Sequence, residues 1–295
     1  MRQKPQVKIL ASGDEPALEA FLAPQIDASM FLISNLRQGG LTDTGLRYSG
    51  TYAAAWEEDQ IIGVVAHYWN GNLICQATSA HLAPLSRAAV ATSGRAINGI
   101  IGPAAQVAVI AADLDLATAQ IQMDETEGLY ALALADLVTP PLLQRDEVHS
   151  HRIDLRDREL LVAWRVAYNV ESLYAQETPA LVEDCQSAVD RAIQEGITWV
   201  LEVNGRPVAT TAFNATLPEA VQVGGVWTPP ELRCRGYARA VVAASLLAAR
   251  DQGVTKAILF TGDTNYAAQK AYRALGFQRV RDYRLLLFVE GLLYK

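Results

Sequence analysis

The dipeptide Asn204-Gly205 sits between two apolar runs, Ile197–Val203 and Val208–Phe213. Asn and Gly accept the positive φ of a two-residue turn, and the twist of such a turn matches that of the strands it joins. The pair commits this half of the chain to a sheet containing an antiparallel hairpin. Around it the periodicity changes in a regular order. Val148–Leu155 alternates as a half-buried strand does. Asp157 caps a helix over Arg158–Tyr174, and a second helix, Glu183–Glu195, closes at Gly196. After the hairpin, the turn Thr216–Glu219 leads into a strand, Ala220–Thr228. A helix over Gly236–Gln252 stops at Gly253, and Ala257–Phe260 is a short apolar strand. Asn265 caps a helix to Leu275, closed by Gly276, and strands follow at Arg279–Tyr283 and Arg284–Val289. The order is β-α-α-β-β-β-α-β-α-β.

The N-terminal half carries a blurred version of that order. Val7–Leu10 is a strand, with helices at Glu15–Phe21 and Ser29–Arg37. Tyr52–Glu57 and Ile61–Trp69 form a hairpin around Glu58-Asp59, and Asn70-Gly71 turns into Leu73–Ala77. Pro84–Thr92 is a helix, Gly99–Pro103 opens another to about Ala112, and Leu129–Leu137 closes as a strand. Asp59–Ala66 parallels Asn204–Ala209, and Asp14-Glu15 parallels Asp157–Glu159, both at about half the chain length, which is what a duplication leaves behind. Pro140-Pro141 breaks the pattern, so the boundary is expected within Thr139–Asp146, giving domains 1–142 and 143–295.

Composition removes several function classes. The net charge is −7, which argues against a general nucleic-acid or membrane-surface binder. Cys75, Cys185 and Cys234 are far apart and odd in number, so neither a disulfide scaffold nor a zinc site is expected, and a reducing compartment is. His149-Ser150-His151 would point two rings to one side of a strand, but no cysteine completes a metal set, and no metal is expected. The basic start lacks the apolar core of a signal peptide, and no apolar run reaches bilayer length. A soluble cytoplasmic protein is the expectation.

Against this acidic background, Arg233-Cys234-Arg235-Gly236-Tyr237-Ala238-Arg239 stands out. It follows a strand ending at Val226-Trp227-Thr228 and a Pro229-Pro230 break, and it opens a helix. The first amides of a helix lack internal partners and carry the positive end of its dipole, so they favour an anion such as a pyrophosphate. Gly236 permits close approach, Ala238 keeps the turn slim, and Arg233, Arg235 and Arg239 supply guanidinium groups. An arginine-rich surface turn is the alternative. Asn265 and Tyr272, seven residues apart, point to nearly one face of the next helix, which Ala267, Ala268 and Ala271 keep thin.

Arg233-x-x-Gly236-x-Ala238, followed by Asn265-x-x-Ala268-x-x-x-Tyr272-x-x-x-Gly276-Phe277, resembles the GNAT family of acetyl-CoA-dependent N-acetyltransferases. The resemblance covers about Val148–Leu287; the N-terminal half shares only element order, without the arginine-glycine loop, and resembles a degenerate second unit. It implies an α/β (α+β, GNAT-like) fold of tandem domains, with two mixed, mostly antiparallel sheets flanked by helices. It also implies acetyl-CoA as donor substrate. Val226, Trp227 and Thr228 would face the acyl and pantetheine portions. The amides of Arg233, Cys234, Arg235, Gly236, Tyr237, Ala238 and Arg239 would hold the pyrophosphate, with Arg233 its main guanidinium partner. Asn265 would bond the pantetheine arm beside Ala268, and Tyr272 would protonate the departing thiolate. A strand amide near Trp227 would stabilise the oxyanion.

No general base is evident. Glu171 falls on an apolar stripe beside Ala167 and Trp164, where it either contacts the acceptor amine or forms an internal salt bridge. Cys234, between arginines, is either reactive or an incidental loop residue. The expected acceptor is a small-molecule or peptide amine. The alternatives are another acyl or aminoacyl transferase, or a non-catalytic acyl-CoA-binding regulatory module.

Overall fold

A computed structural model gives the three-dimensional structure, describing residues 5–116, 119–172 and 174–293. Its contacts divide into two units, residues 1–129 with 281–295, and residues 130–280.

The first unit contains β1 (Gln6–Ile9), α1 (Glu15–Leu22), α2 (Ile26–Gly39), β2 (Gly50–Glu57), β3 (Gln60–Tyr68), β4 (Asn72–Ala77), α3 (Ser79–Ser93), β5 (Ile97–Pro103), α4 (Ala104–Asp113) and most of β6 (Ile121–Ala133). Glu58 and Asp59 turn the β2–β3 hairpin with φ of 47° and 63°. Buried side chains alternate along the strands. Ala53, Ala55, Val65, Leu73 and Cys75 pack with α3 and α4 in one core, while intervening residues such as Tyr52, Val64 and Ala66 are equally buried on the other face.

The second unit takes in the end of β6, then β7 (Val148–Arg152), α5 (Arg158–Ser172), α6 (Pro179–Glu195), β8 (Thr198–Val203), β9 (Arg206–Thr216), β10 (Ala220–Trp227), α7 (Tyr237–Asp251), β11 (Lys256–Gly262), α8 (Tyr266–Arg273) and the first residues of β12 (Gln278–Leu292). Asn204 and Gly205 make the expected turn, with φ of 51° and 70°. Trp199 and Leu201 of β8 pack in the core that includes α7, and Val200 between them packs with α5 and α6. α6 begins at Pro179 rather than Glu183, because Thr178 Oγ1 accepts from the Leu181 amide and supplies an earlier cap. The end of α5 was expected at Tyr174, past Leu173, which lies outside the described residues.

The same ten-element order therefore occurs twice, from β1 to β6 and from β7 to β12. The strand orders nevertheless correct the expectation of two self-contained sheets. The first unit runs β1-β2-β3-β4-β5-β12-β6, and the second runs β6-β11-β10-β9-β8-β7. β12, expected as two strands in the C-terminal domain, is one strand paired antiparallel to β5, with Tyr283 opposite Pro103 and Leu287 opposite Gly99. The expected division at residue 142 differs from the contact units for the same reason. Gly99–Pro103, expected to open a helix, lies in strand β5. Its glycines answer to crowding by adjacent strands. A Cβ on Gly99 would stand 2.6 Å from Leu287 Cδ2, and one on Gly102 would stand 2.6 Å from Cys75 Sγ. No helix among the described residues is long and apolar enough to cross a membrane.

Candidate active site in the second unit

β10 and β11 run parallel with Ala220 opposite Lys256 and Val223 opposite Leu259. Their register stops there, although β10 continues to Trp227 and β11 to Gly262. On its other side β10 is irregular against β9, with a register shift between Gly224 and Trp227 and Gly225 at φ 57°. A Cβ on Gly224 would lie 2.0 Å from Asn214 Nδ2, so a larger residue there would displace the exposed Asn214 side chain.

Pro229 and a short 3-10 turn, Pro230–Leu232, carry the chain from Trp227 to α7. Cys234 has φ 62° and Gly236, the N-cap of α7, φ 82°. No side chain caps α7, and the first backbone bond back to the cap runs from the Ala240 amide to the Gly236 carbonyl at 3.0 Å. The amides of Tyr237, Ala238 and Arg239 thus precede the helix's own bonding pattern. Two polar atoms flank this stretch without a hydrogen-bond partner among the described residues, the buried Thr228 Oγ1 and the buried Arg239 Nε. Arg235 donates to the Glu231 carbonyl at 3.4 Å, and Cys234 is exposed.

Arg233 takes a course its motif did not foretell. Its Nε donates to the Thr228 carbonyl at 3.0 Å, its guanidinium lies 5.0 Å from the Trp227 ring centroid, and its Nη2 is 2.8 Å from Glu171 Oε1. The structure thereby joins two candidates that sequence kept apart, as the internal salt bridge that was one of the alternatives for Glu171. Both side chains are more than one-third exposed, so the pair contributes little to stability.

Asn265 is the N-cap of α8, its Oδ1 accepting from the Ala268 amide at 3.1 Å. That leaves the side-chain amide NH₂ as its donor. Tyr272 is buried in the core, its ring 6.1 Å from that of Phe277 in an edge-on arrangement, and Ala268 packs against the same core. The His151 ring is 3.1 Å from Asp157 Oδ2, which also accepts from the Asp154 amide; with Glu202 these form a cluster whose ligand atoms lie within 4.8 Å.

A feature that the motifs did not announce lies beside the end of β10. It is an open cavity of about 610 Å³ lined by Val162, Val166 and Val170 of α5, Val182 of α6, Trp227 and Pro230, with the carboxylates of Glu159, Glu171 and Glu177. Tyr168 of α5 meets Trp227 edge-on, with centroids 6.4 Å apart. The four-residue spacing of the valines, and of Glu159, Ala163, Ala167 and Glu171, was the available signal.

The corresponding place in the first unit is built differently. The parallel register of β4 and β5 also stops short, at Ile74 opposite Ile101. There, however, the Ala77 amide at the strand end donates to Gln106 Oε1 at 2.9 Å, and Thr78 leads directly into α3 with neither arginine nor glycine.

Residues 167–277 match the model of the "Acetyltransferase (GNAT) family". A 96-residue stretch, 30% of this chain, is 33% identical to the rat (Rattus norvegicus) protein N-acetyltransferase family 8 member 2 and spans 41% of that relative. The chain therefore covers about two fifths of that curated relative's length. Among solved structures, an acetyltransferase of the GNAT family from Colwellia psychrerythraea is similar over 96% of this chain and 99% of its own, at 14% identity and a TM-score of 0.55. A tandem GNAT protein of the clavulanic acid biosynthesis pathway is similar over 96% of this chain and 97% of its own, at 13% identity and a TM-score of 0.57. These two likenesses are of fold. The family match lies within the second unit, from the later part of α5 to just past α8, and the fold likeness to GNAT acetyltransferases extends over nearly the whole chain.

Proposed function

We propose that the second unit is an acetyl-CoA-dependent N-acetyltransferase that joins donor and amine directly. One observation carries the reading: β10 and β11 part beside a glycine-led, uncapped helix start. Peptide groups freed from sheet pairing beyond Val223 can meet the pantetheine arm. The amides from Cys234 to Arg239 can meet the pyrophosphate, with Arg235 and Arg239 as its cationic partners. The orphaned Thr228 Oγ1 and Arg239 Nε are the kind of buried groups that a bound donor satisfies. Asn265 contributes its NH₂, and Arg233 acts by fixing Thr228, Trp227 and Glu171 rather than by holding phosphate.

The amine reaches the thioester as a neutral nucleophile after its ammonium form gives up a proton. A bond forms between nitrogen and the acyl carbon, an oxyanion develops under the amides near Trp227, and the carbon–sulfur bond breaks. The thiolate takes a proton, for which Tyr272 is the assigned donor; the nitrogen gives up its second proton as the amide forms, and that proton restores the Tyr272 hydroxyl, so only the proton lost by the ammonium is released overall per acetyl group moved. The first unit is assigned no donor, because Gln106 occupies its strand-end amide.

Titration with acetyl-CoA, followed by thermal unfolding, tests donor binding. Thiol release across a panel of amines then tests turnover. No stabilisation by acetyl-CoA or any other acyl-CoA would overturn the reading.

A further inference from the structure

We infer that the acceptor is a primary amine on an apolar body, an alkylamine or arylalkylamine, without a carboxylate or peptide group next to the nitrogen. The inference rests on the proposed donor site for the place of the reaction, and on the cavity beside β10 for its chemistry. That cavity shares Trp227 with the proposed donor cleft, so a molecule seated in it lies next to the proposed thioester position.

Its walls are hydrocarbon. Val162, Val166, Val170 and Val182, with the Trp227 ring and Pro230, offer burial to an apolar body. Its charged lining has one sign. Glu159, Glu171 and Glu177 are the only ionisable side chains among the lining residues. Glu171 is neutralised by Arg233, whereas Glu159 and Glu177 have no salt-bridge partner among the described residues. Such a site attracts an ammonium group. It repels a carboxylate, and it offers a peptide carbonyl no side-chain donor other than the Trp227 indole. A polyamine or amino sugar would satisfy the charge but would leave the valine wall against water or hydroxyls. Discrimination therefore follows from both lining chemistries together, with Glu159 and Glu177 as specificity-determining residues.

The test compares 2-phenylethylamine with L-phenylalanine and with a tripeptide beginning in phenylalanine, which share one aromatic body. Ligand-observed NMR measures their affinity for the full chain without donor, and thiol release with acetyl-CoA measures kcat/KM. We expect 2-phenylethylamine to bind at least tenfold more tightly than either competitor. The double variant Glu159→Gln/Glu177→Gln should weaken it at least fivefold, with unchanged acetyl-CoA affinity and unchanged unfolding temperature. Equal or tighter binding of phenylalanine or the peptide overturns the inference, as does a double variant that folds and binds the amine unchanged. Amine binding with no acyl-CoA binding overturns the donor reading. Acetyl-CoA-dependent turnover of phenylalanine, spermidine or glucosamine in preference to 2-phenylethylamine leaves the donor reading standing and removes this one.

Discussion

Gly236→Ala separates backbone strain from ligand recognition at the proposed phosphate loop. Gly236 holds φ 82°, where an L-residue costs about 1–2 kcal/mol. Its Cβ would meet only Arg239 Nη2, at 3.9 Å, so no clash adds to that cost. Alanine also restricts the unfolded chain, which recovers part of the loss, and the net change is about 1 kcal/mol of destabilisation. For a unit of this size that lowers the unfolding temperature by about 2–4 °C. Gly253, beyond the other end of α7, is the internal control. Its φ is 92° and a Cβ there would meet nothing within 4 Å, so Gly253→Ala should show the same loss of stability. Only at Gly236 would the added methyl stand where phosphate oxygens approach the helix amides. At a hundredfold excess over its Kd, acetyl-CoA adds about 2.7 kcal/mol to a protein it binds natively. We expect Gly236→Ala to weaken binding at least tenfold and to cut that stabilisation by about half, while Gly253→Ala keeps it in full. Differential scanning fluorimetry with and without acetyl-CoA, supported by calorimetric titration, reads both effects. If the two variants lose stability alike and bind acetyl-CoA alike, the loop before α7 does not hold the donor.

Asn265→Asp keeps the cap of α8 but removes the side-chain donor; the unfolding temperature should stay within about 1 °C, whereas Asn265→Ala costs about 1 kcal/mol. Steady-state kinetics should show Asn265→Asp raising the KM for acetyl-CoA several-fold. Cys234 stands at φ 62° with an exposed side chain, so Cys234→Gly relieves strain and should raise stability by up to about 1 kcal/mol in urea titrations. In the first unit, burial, reinforced by Glu125, pushes the Glu127 carboxyl from 4.5 up to about 7. The folded state holds this proton more tightly than the unfolded one. Its contribution is therefore complete below about pH 4.5 and is lost as pH rises through 7, on the order of 2–3 kcal/mol. Urea unfolding at pH 5 and pH 8 should show Glu127→Gln removing that part of the pH dependence; an unchanged pH profile would contradict it.

Local chemistry made most elements legible. Asn204-Gly205 and Glu58-Asp59 turn where positive φ is needed, and Gly196, Gly253 and Gly276 follow their helices as chain stops, each with φ above 60°. The loop before α7 was legible for the same reason. A glycine between a strand and an apolar helical run marks the place where the chain takes a positive φ before the helix begins, and Gly236 is the N-cap of α7. What escaped depends on partners distant in sequence. The glycines of β5 look like turn residues until Leu287 and Cys75 are seen crowding them. Arg233 looks like a phosphate ligand until Glu171, 62 positions earlier, is found against it. The cavity needs α5, α6 and the end of β10 at once, and no local pattern encodes their meeting.

The pairing of β12 with β5 bears on how the chain is made. β5 ends at Pro103, but the strand that covers it begins to contribute only from Arg281. At ribosomal speeds, roughly ten to forty seconds separate the two. Throughout that interval the β5 edge is an unpaired template, open to chaperones or to strands of neighbouring nascent chains. The first unit is therefore completed only after the residues of the second have been synthesised.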